Sequence, residues 1–573
     1  MLRTLSLSAS LALTFAVAPV LADPSETVNR LAERYYQYML THHPEAPYFS
    51  GVEPPTHDGL TDISSEGITA AQEEEDAIFG EIEKIGSGAL VGKPEWVTLA
   101  LVRQALHAAR IRRICRLELW QVNQMSGWQL DYSRLASLQP TGTPELRSQA
   151  LARWAKFPAY IDQVTENLKA GLEAGYSAPK AVVKRVIDQL DGLLALEGRV
   201  SPFFAMAKET EDEGFAADLE KLITERIQPA VRRHRDYLAD EYLTKAREEL
   251  SVTANPDGAA CYAASLEAYT TLDRSPRDVF ELGGKTVAAN RARVVELGQA
   301  AYGLNEFGEI MARVKADPTD RFESKEELLE FSREAVARAA AEMPNWVGDM
   351  PQQRVKVVPF PEHEEGTGRS AHYNAGNDER PGEYRIPLHE PEKQSKGNAE
   401  ATAFHETWPG HHLQVAVSRK LEGLHPVTNL IWFSGPGEGW ARYSESLAEE
   451  MGLYETVTGP IRRRAWPARG MVVDPGLHLF GWSREQVKEY MAEAGRFPDE
   501  RLDDMVDRIA ILPGQLTAYD SGGLEIMALR REAEDALGEA FDIREFHDRI
   551  LEYGTIPLPA LREHIERWIR SKQ

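Results

Sequence analysis

Residues 404–414 read FHETWPGHHLQ. A histidine followed at once by a glutamate opens the helical His-Glu-x-x-His pattern. In that pattern two imidazoles one turn apart share a zinc ion, and the glutamate lies beside the water that the metal activates. Here the fourth position after His405 is Pro409, and the next histidines come late, at His411 and His412. In an unbroken helix six residues turn a side chain by roughly 240°, which points His411 away; seven return His412 to the same face, but about 10 Å further along. Pro409 removes a backbone donor and its ring meets the carbonyl of His405, while Gly410 permits unusual backbone angles. The spacing therefore predicts a break or bulge that returns His411 to the metal side. His412 stands as the alternative ligand, or as a group facing substrate.

A zinc site needs a third protein ligand. The stretch SGPGEGWARYSESLAEEMG, residues 434–452, offers Glu438 just after a Gly-Pro-Gly turn at a helix start. It comes 27 residues after His411, room for a loop and a returning helix, and Glu445 lies two turns further on the same face. A carboxylate beside two imidazoles leaves a fourth position for water, for which Glu406 would be the general base. A packed histidine cluster without a metal is the competing explanation.

Around this region the chain reads mainly as helix. Residues 25–42, 143–175 and 177–195 carry apolar side chains at helical spacing between Ser, Thr and Gly signals. Residues 351–391 are rich in Gly, Pro and His instead, with RVKVVPF (354–360) and EYRIPL (383–388) as strand candidates. The C-terminal PLPALREHIERWIRSK, residues 557–572, is a helix opened by prolines. The expected organisation is an export signal at 1–22, a helical lobe at 23–350, and a second lobe at 351–573 holding a small sheet and the His-Glu helix.

The 573 residues include 90 acidic and 65 basic side chains, a net charge of −25 that repels phosphate backbones and excludes nucleic acid as a partner. Residues 1–22 combine Arg3, an apolar run and small residues before Asp23, the pattern of a cleaved secretory signal. No later run is apolar enough to span a bilayer. The expected location is outside the cytoplasm, in a periplasm or beyond. There Cys115 and Cys261 are free to pair, although nothing in their spacing says that they do.

The motifs together resemble the bacterial DUF885 family, which carries His-Glu-x-x-Pro-Gly-His-His and Glu-Gly-Trp-Ala-x-Tyr-x-Glu, here 405–412 and 438–445. VVDPGLHLFGWSREQVKEYM (472–491), PGQLTAYDSGG (513–523) and FHDRILEYGTIPLPALREHI (546–565) resemble further family segments. The family is similar in layout to gluzincin metallopeptidases, mainly helical with a cleft between lobes. The resemblance implies zinc at His405, Glu438 and His411 or His412, with Glu406 as base. Tyr519 would stabilise an oxyanion. Asp474, His478, Gln515 and His547, with Glu445, would surround the metal or meet substrate. Tyr373 and Asn374, in the strand region before the motif, have a plain role in the sheet as the leading reading and binding of a substrate backbone by strand addition as the other. The chain departs from the pattern at Arg442, commonly apolar, at Pro475, commonly small and polar, and at Asp520, commonly lysine. The implied activity is an exported zinc hydrolase of short peptides. An amidase or esterase would use the same groups, and a non-catalytic helical binding protein is the alternative from another class.

Overall fold

Side chains that cap helices set where the elements begin. Asp23 accepts the N–H of Ser25 and opens the helix Pro24–His42; Thr143 accepts the N–H of Leu146 and opens Pro144–Glu173. Helices Lys180–Leu194 and Leu558–Lys572 likewise fall where the periodicity predicts them. The computed structural model describes residues 23–573 apart from 209, 363–364, 366–368 and 378–379. The expected export signal lies outside the described residues. The described chain is mainly helical with one small sheet, and none of its helices is long and apolar enough to cross a membrane.

The two expected strands are Val355–Pro359 (β1) and Gly382–Ile386 (β3), paired in parallel with Val355 opposite Gly382. A third strand, His372–Asn374 (β2), runs antiparallel to β3 with Tyr373 opposite Tyr384, giving the order β1-β3-β2. The short β2 is therefore an edge.

Buried apolar clusters tie distant segments together. One joins Leu31 and Val102 to Phe404, Leu413, Trp440 and Ile565, so the His-Glu segment rests on helices from both ends of the chain. A second stays within residues 122–246 around Trp154, Phe157 and Leu219. A third joins Val294 and Ile310 to Val473 and Val506. The fourth contains Trp120, Tyr262 and Met471, and with them the disulfide Cys115–Cys261. Three of these clusters thus take side chains from both sides of residue 350.

Candidate metal centre

The helix Lys396–Glu406 is fixed at its start. Ser395 caps it, and the buried Asp320 accepts from Ser395 Oγ at 2.7 Å, from the Gly397 N–H at 2.9 Å and from Arg462 Nε at 3.0 Å. The helix stops at Glu406 and a new one, His411–Ser418, starts five residues on, after a cis Trp408–Pro409 bond. The Pro-Gly pair thus breaks the helix rather than bulging it. A Cβ on Gly410 would lie 1.8 Å from the His405 carbonyl oxygen, so only glycine lets the two short helices meet this closely.

The helix Ser434–Glu450 holds this turn from behind. Trp440 Nε1 donates to the carbonyl of Pro409 at 2.9 Å, and Ser444 Oγ donates to the same oxygen at 3.2 Å. Two sequence motifs about 30 residues apart are therefore one structural unit. Trp440 and Tyr443 face the core; Glu438, Arg442 and Glu445, at three- and four-residue spacing, face a cavity.

Three donors converge there. His405 Nε2 and His411 Nε2 each lie 3.5 Å from Glu438 Oε2, and one ligand atom from each residue falls within 4.8 Å of the others. A tetrahedral zinc with bonds near 2.05 Å spaces its ligands by about 3.3 Å, so the donor set fits that ion. Each imidazole is steered from its other nitrogen. His405 Nδ1 donates to Glu445 Oε1 at 3.0 Å, and His411 Nδ1 donates to Gln414 Oε1 at 3.3 Å, which turns both Nε2 atoms toward Glu438. Burial works against charge on His405, but the carboxylates of Glu438 and Glu445 outweigh it and raise the imidazole to about 10. Burial likewise pushes Glu438 up, and the two imidazoles overcome it to hold the carboxyl far below the ordinary range. The pocket is built to hold positive charge.

Behind the histidines stands a buried chain of charge. Arg442 Nη1 donates to Glu445 at 2.7 and 2.8 Å, and its Nε stands 3.0 Å from Asp520 Oδ1. Burial raises Glu445, and Arg442 then draws it down to about 2. Asp520 reaches this place because the helices Ser434–Glu450 and Ala518–Leu537 cross at glycines. A Cβ on Gly522 would lie 1.9 Å from the Gly435 carbonyl, and one on Gly439 would lie 2.6 Å from Gly522. Sequence reasoning missed the roles of Gln414, Arg442 and Asp520; the helical spacing of Gln414 from His411 was the signal for the first.

Glu406 faces the same cavity and accepts the backbone N–H of Tyr373, on the β2 edge, at 2.9 Å. That bond points the outer edge of β2 at the site, with Ala371 and Ala375 also on the cavity wall. Tyr519 lines the cavity too, its hydroxyl accepting from Arg508 Nη2 at 3.2 Å. The cavity measures about 1250 Å³, above the usual range for small-molecule sites.

Four expected site residues belong elsewhere. His412 is fully buried: its Nε2 donates to the Gln353 carbonyl and its Nδ1 accepts from Tyr373 OH, each at 3.0 Å, and burial lowers it to about 4. Both nitrogens are spent, one on the segment before β1 and one on β2, so it offers no lone pair to a cation. Asp474 accepts from Tyr262 OH and the Gly514 N–H, both at 2.9 Å, and from the Leu516 N–H, and pins the loop before Tyr519. His478 accepts the Val252 N–H at 3.0 Å and donates to the Ile509 carbonyl at 2.9 Å. His547 donates to the Trp346 carbonyl and receives Tyr443 OH, each at 2.7 Å, bracing the back of the Glu438 helix. None of these four lines the cavity. Gln515 accepts from Arg508 Nη2 at 2.6 Å and lies off the wall. Asn374 is also absent from the wall, its place on the outer edge taken by Tyr373.

The fold recurs among solved structures. One, described as a "putative lipoprotein" from Colwellia psychrerythraea, superposes with a TM-score of 0.87 at 23% identity, covering 96% of this chain and 100% of its own. Another, described as a "putative lipoprotein of unknown function" from Shewanella oneidensis, gives 0.75 at 17%, covering 95% and 99%. No curated protein matches the chain significantly. The family model described as "Bacterial protein of unknown function (DUF885)" matches residues 44–565, and the chain belongs to that family.

Proposed function

We propose that this protein is an exported zinc-dependent hydrolase that cleaves short peptides. The observation that carries the reading is the pair of 3.5 Å separations from Glu438 Oε2 to the Nε2 atoms of His405 and His411, close to the edge of a zinc tetrahedron. Zinc bound there supplies a Lewis acid that brings the pKa of water down to about 7.

The protein's own groups then have distinct tasks. His405, His411 and Glu438 hold the ion, while Glu445 and Gln414 fix the two imidazoles. Glu406, oriented by the Tyr373 N–H, takes a proton from the attacking water and passes it to the leaving amine. The new C–O bond forms and the C–N bond breaks. The Tyr519 hydroxyl, held by Arg508, donates to the oxygen that gains charge. A peptide is favoured over a small amide by the size of the cavity and by the β2 edge, where Ala371 and Ala375 flank the Tyr373 N–H held by Glu406 and line the wall along which an extended chain would lie. The expectation of two lobes around a gluzincin-like cleft belongs with this reading. Export is supported by the character of residues 1–22, by the Cys115–Cys261 disulfide, and by the description of the two structural neighbours as lipoproteins.

Metal analysis of the intact protein beside His405→Ala tests the site: about one zinc per chain is expected, lost in the variant. Glu406→Gln should keep zinc and abolish hydrolysis of a mixed peptide library. Protein that neither carries nor takes up metal sinks the hydrolase and leaves a binding protein. Metal without peptide cleavage by the parent chain rejects the peptide substrate and turns the search to amides and esters.

A further inference from the structure

The cavity is not uniformly acidic. The wall formed by residues 496–508 presents Arg496, Arg501 and Arg508. Most cations elsewhere in the lining are matched: Arg442 by Glu445 and Asp520, and Arg462 by Asp320. Arg501 meets Asp504 at 3.5 Å. Arg496 and Arg508 are different.

Arg496 lies in the turn before the helix Asp499–Ile511, half-buried, its guanidinium 5.8 Å from the centre of the Trp466 ring and 5.7 Å from that of Phe497. Among the described residues it has no carboxylate within ion-pairing distance and no hydrogen-bond partner. Arg508, on the cavity face of the helix, gives Nη2 to Gln515 and Tyr519, both uncharged, and its Nε is buried without a partner. No carboxylate among the described residues pairs with it either. Half-buried guanidinium groups carry a desolvation cost that neutral acceptors and aromatic rings offset in part and an anion offsets more fully. That two of them lack one, in a chain with 90 acidic side chains, marks a place kept for an anion from outside.

The surroundings select the anion. The same cavity holds Glu406, Glu438 and Glu445, which repel a multiply charged ligand. A single carboxylate on an otherwise neutral chain satisfies both ends, and its two oxygens match the guanidinium fork. Arg508 touches Tyr519, so the cationic wall borders the reacting groups.

We propose that Arg496 and Arg508 form a subsite for the C-terminal carboxylate of a peptide, so that cleavage is directed from that end of the substrate. This rests on the hydrolase reading and names its substrate class; the bond broken and the water consumed are unchanged.

The test uses acetylated pentapeptides in three forms: free carboxylate, carboxamide, and carboxamide with a glutamate as last residue. Turnover is measured with the zinc-loaded parent protein, and binding by calorimetry with Glu406→Gln. Free acids are expected to show kcat/KM at least about 30-fold above carboxamides and to bind at least about 10-fold more tightly, the scale of one charge-assisted pair. Arg496→Gln should remove the preference through KM, with kcat within about threefold and zinc content unchanged, and Arg496→Lys should restore part of it. Arg508→Gln should raise KM and also lower kcat through Tyr519. Free acids and carboxamides that behave alike, or that both fail to bind, overturn the subsite. Equal preference for the glutamate carboxamide overturns the C-terminal assignment in favour of an acidic side chain. Selective binding of free acids without any turnover by the parent protein leaves the subsite standing and removes the hydrolase.

Discussion

Replacing Glu445 by glutamine tests whether the residues behind the histidines set the strength of the proposed metal site. Glu445 accepts the His405 Nδ1–H at 3.0 Å and two bonds from Arg442. Glutamine keeps the volume and an oxygen for Nδ1–H, but it removes the negative charge that makes the imidazole a stronger donor. Partners of metal-binding histidines are typically worth about 10- to 100-fold in affinity, about 1.4 to 2.7 kcal/mol. The loss of a buried charge places Glu445→Gln in the upper part of that range, about 30- to 100-fold. Gln414→Ala removes a longer, uncharged contact of 3.3 Å at His411 and should cost about 3- to 10-fold by the same comparison. Because Asp520 still faces Arg442, Glu445→Gln should lose less than the roughly 3–5 kcal/mol of a fully orphaned buried charge and remain folded. Competition titration of zinc against a chromophoric chelator reads both variants. Zinc affinity unchanged in folded Glu445→Gln, or a heavier loss in Gln414→Ala, refutes the reasoning.

The geometry sets three further outcomes. Gly410→Ala puts a Cβ 1.8 Å from the His405 carbonyl; a clash with backbone cannot be relieved by a rotamer, so thermal unfolding should show a loss above about 2 kcal/mol together with loss of zinc, and a parent-like melting curve contradicts this. His478, lowered to about 3 by burial, accepts an amide N–H at Nδ1 and must be neutral when folded. The unfolded chain therefore binds one more proton between about pH 6.5 and 3; stability is full above about pH 6.5 and falls as pH drops, by about 1.4 kcal/mol per unit for this residue. His478→Gln should make the pH dependence of the urea midpoint shallower by that amount, and an unaltered slope rejects the assignment. Reducing Cys115–Cys261, which closes 146 residues of chain, should cost about 2–5 kcal/mol, read as a lower urea midpoint with reductant; equal midpoints argue that the bridge contributes nothing.

Helical period made part of the site legible in the sequence. Glu438 with Glu445 was readable because residues seven apart share a face, and His405 with Glu406 because that dipeptide opens a zinc-binding pattern. The choice between His411 and His412 was not, because it depends on how the chain leaves the Pro-Gly turn. That path is decided by Trp440 and Ser444, more than 30 residues away in sequence, gripping the Pro409 carbonyl. Asp474, His478 and His547 looked like site residues because polar groups within motifs suggest chemistry. In the fold each spends its hydrogen-bonding capacity on backbone groups or a tyrosine, an equally strict demand that sequence cannot tell from catalysis. The sheet was half legible: β1 and β3 show apolar alternation, whereas β2 has three residues and takes its place from pairing with β3.

Arg442 and Asp520, the two charged departures from the resemblance read in the sequence, stand against each other in the fold. The buried Arg442 already pairs with Glu445, and an aspartate at 520 without a cation beside it would set an unpaired negative charge near Tyr519. Their contact at 3.0 Å, with Glu445 on the other edge of the guanidinium, supplies that cation. Arg442 is shared between two carboxylates, and only one of them reaches His405. Glu445 therefore keeps its contact with the imidazole while Asp520 takes a share of the guanidinium charge, whereas an apolar residue and a lysine at these places would leave Glu445 with a different counter-ion at a different distance. Glycines at 435, 439 and 522 make the exchange possible by letting the two helices approach until the side chains touch. On this argument, Asp520→Lys alone should destabilise the protein by setting two cations face to face, and Arg442→Leu added to it should recover part of the loss. A double variant no more stable than Asp520→Lys would show that the two departures are independent.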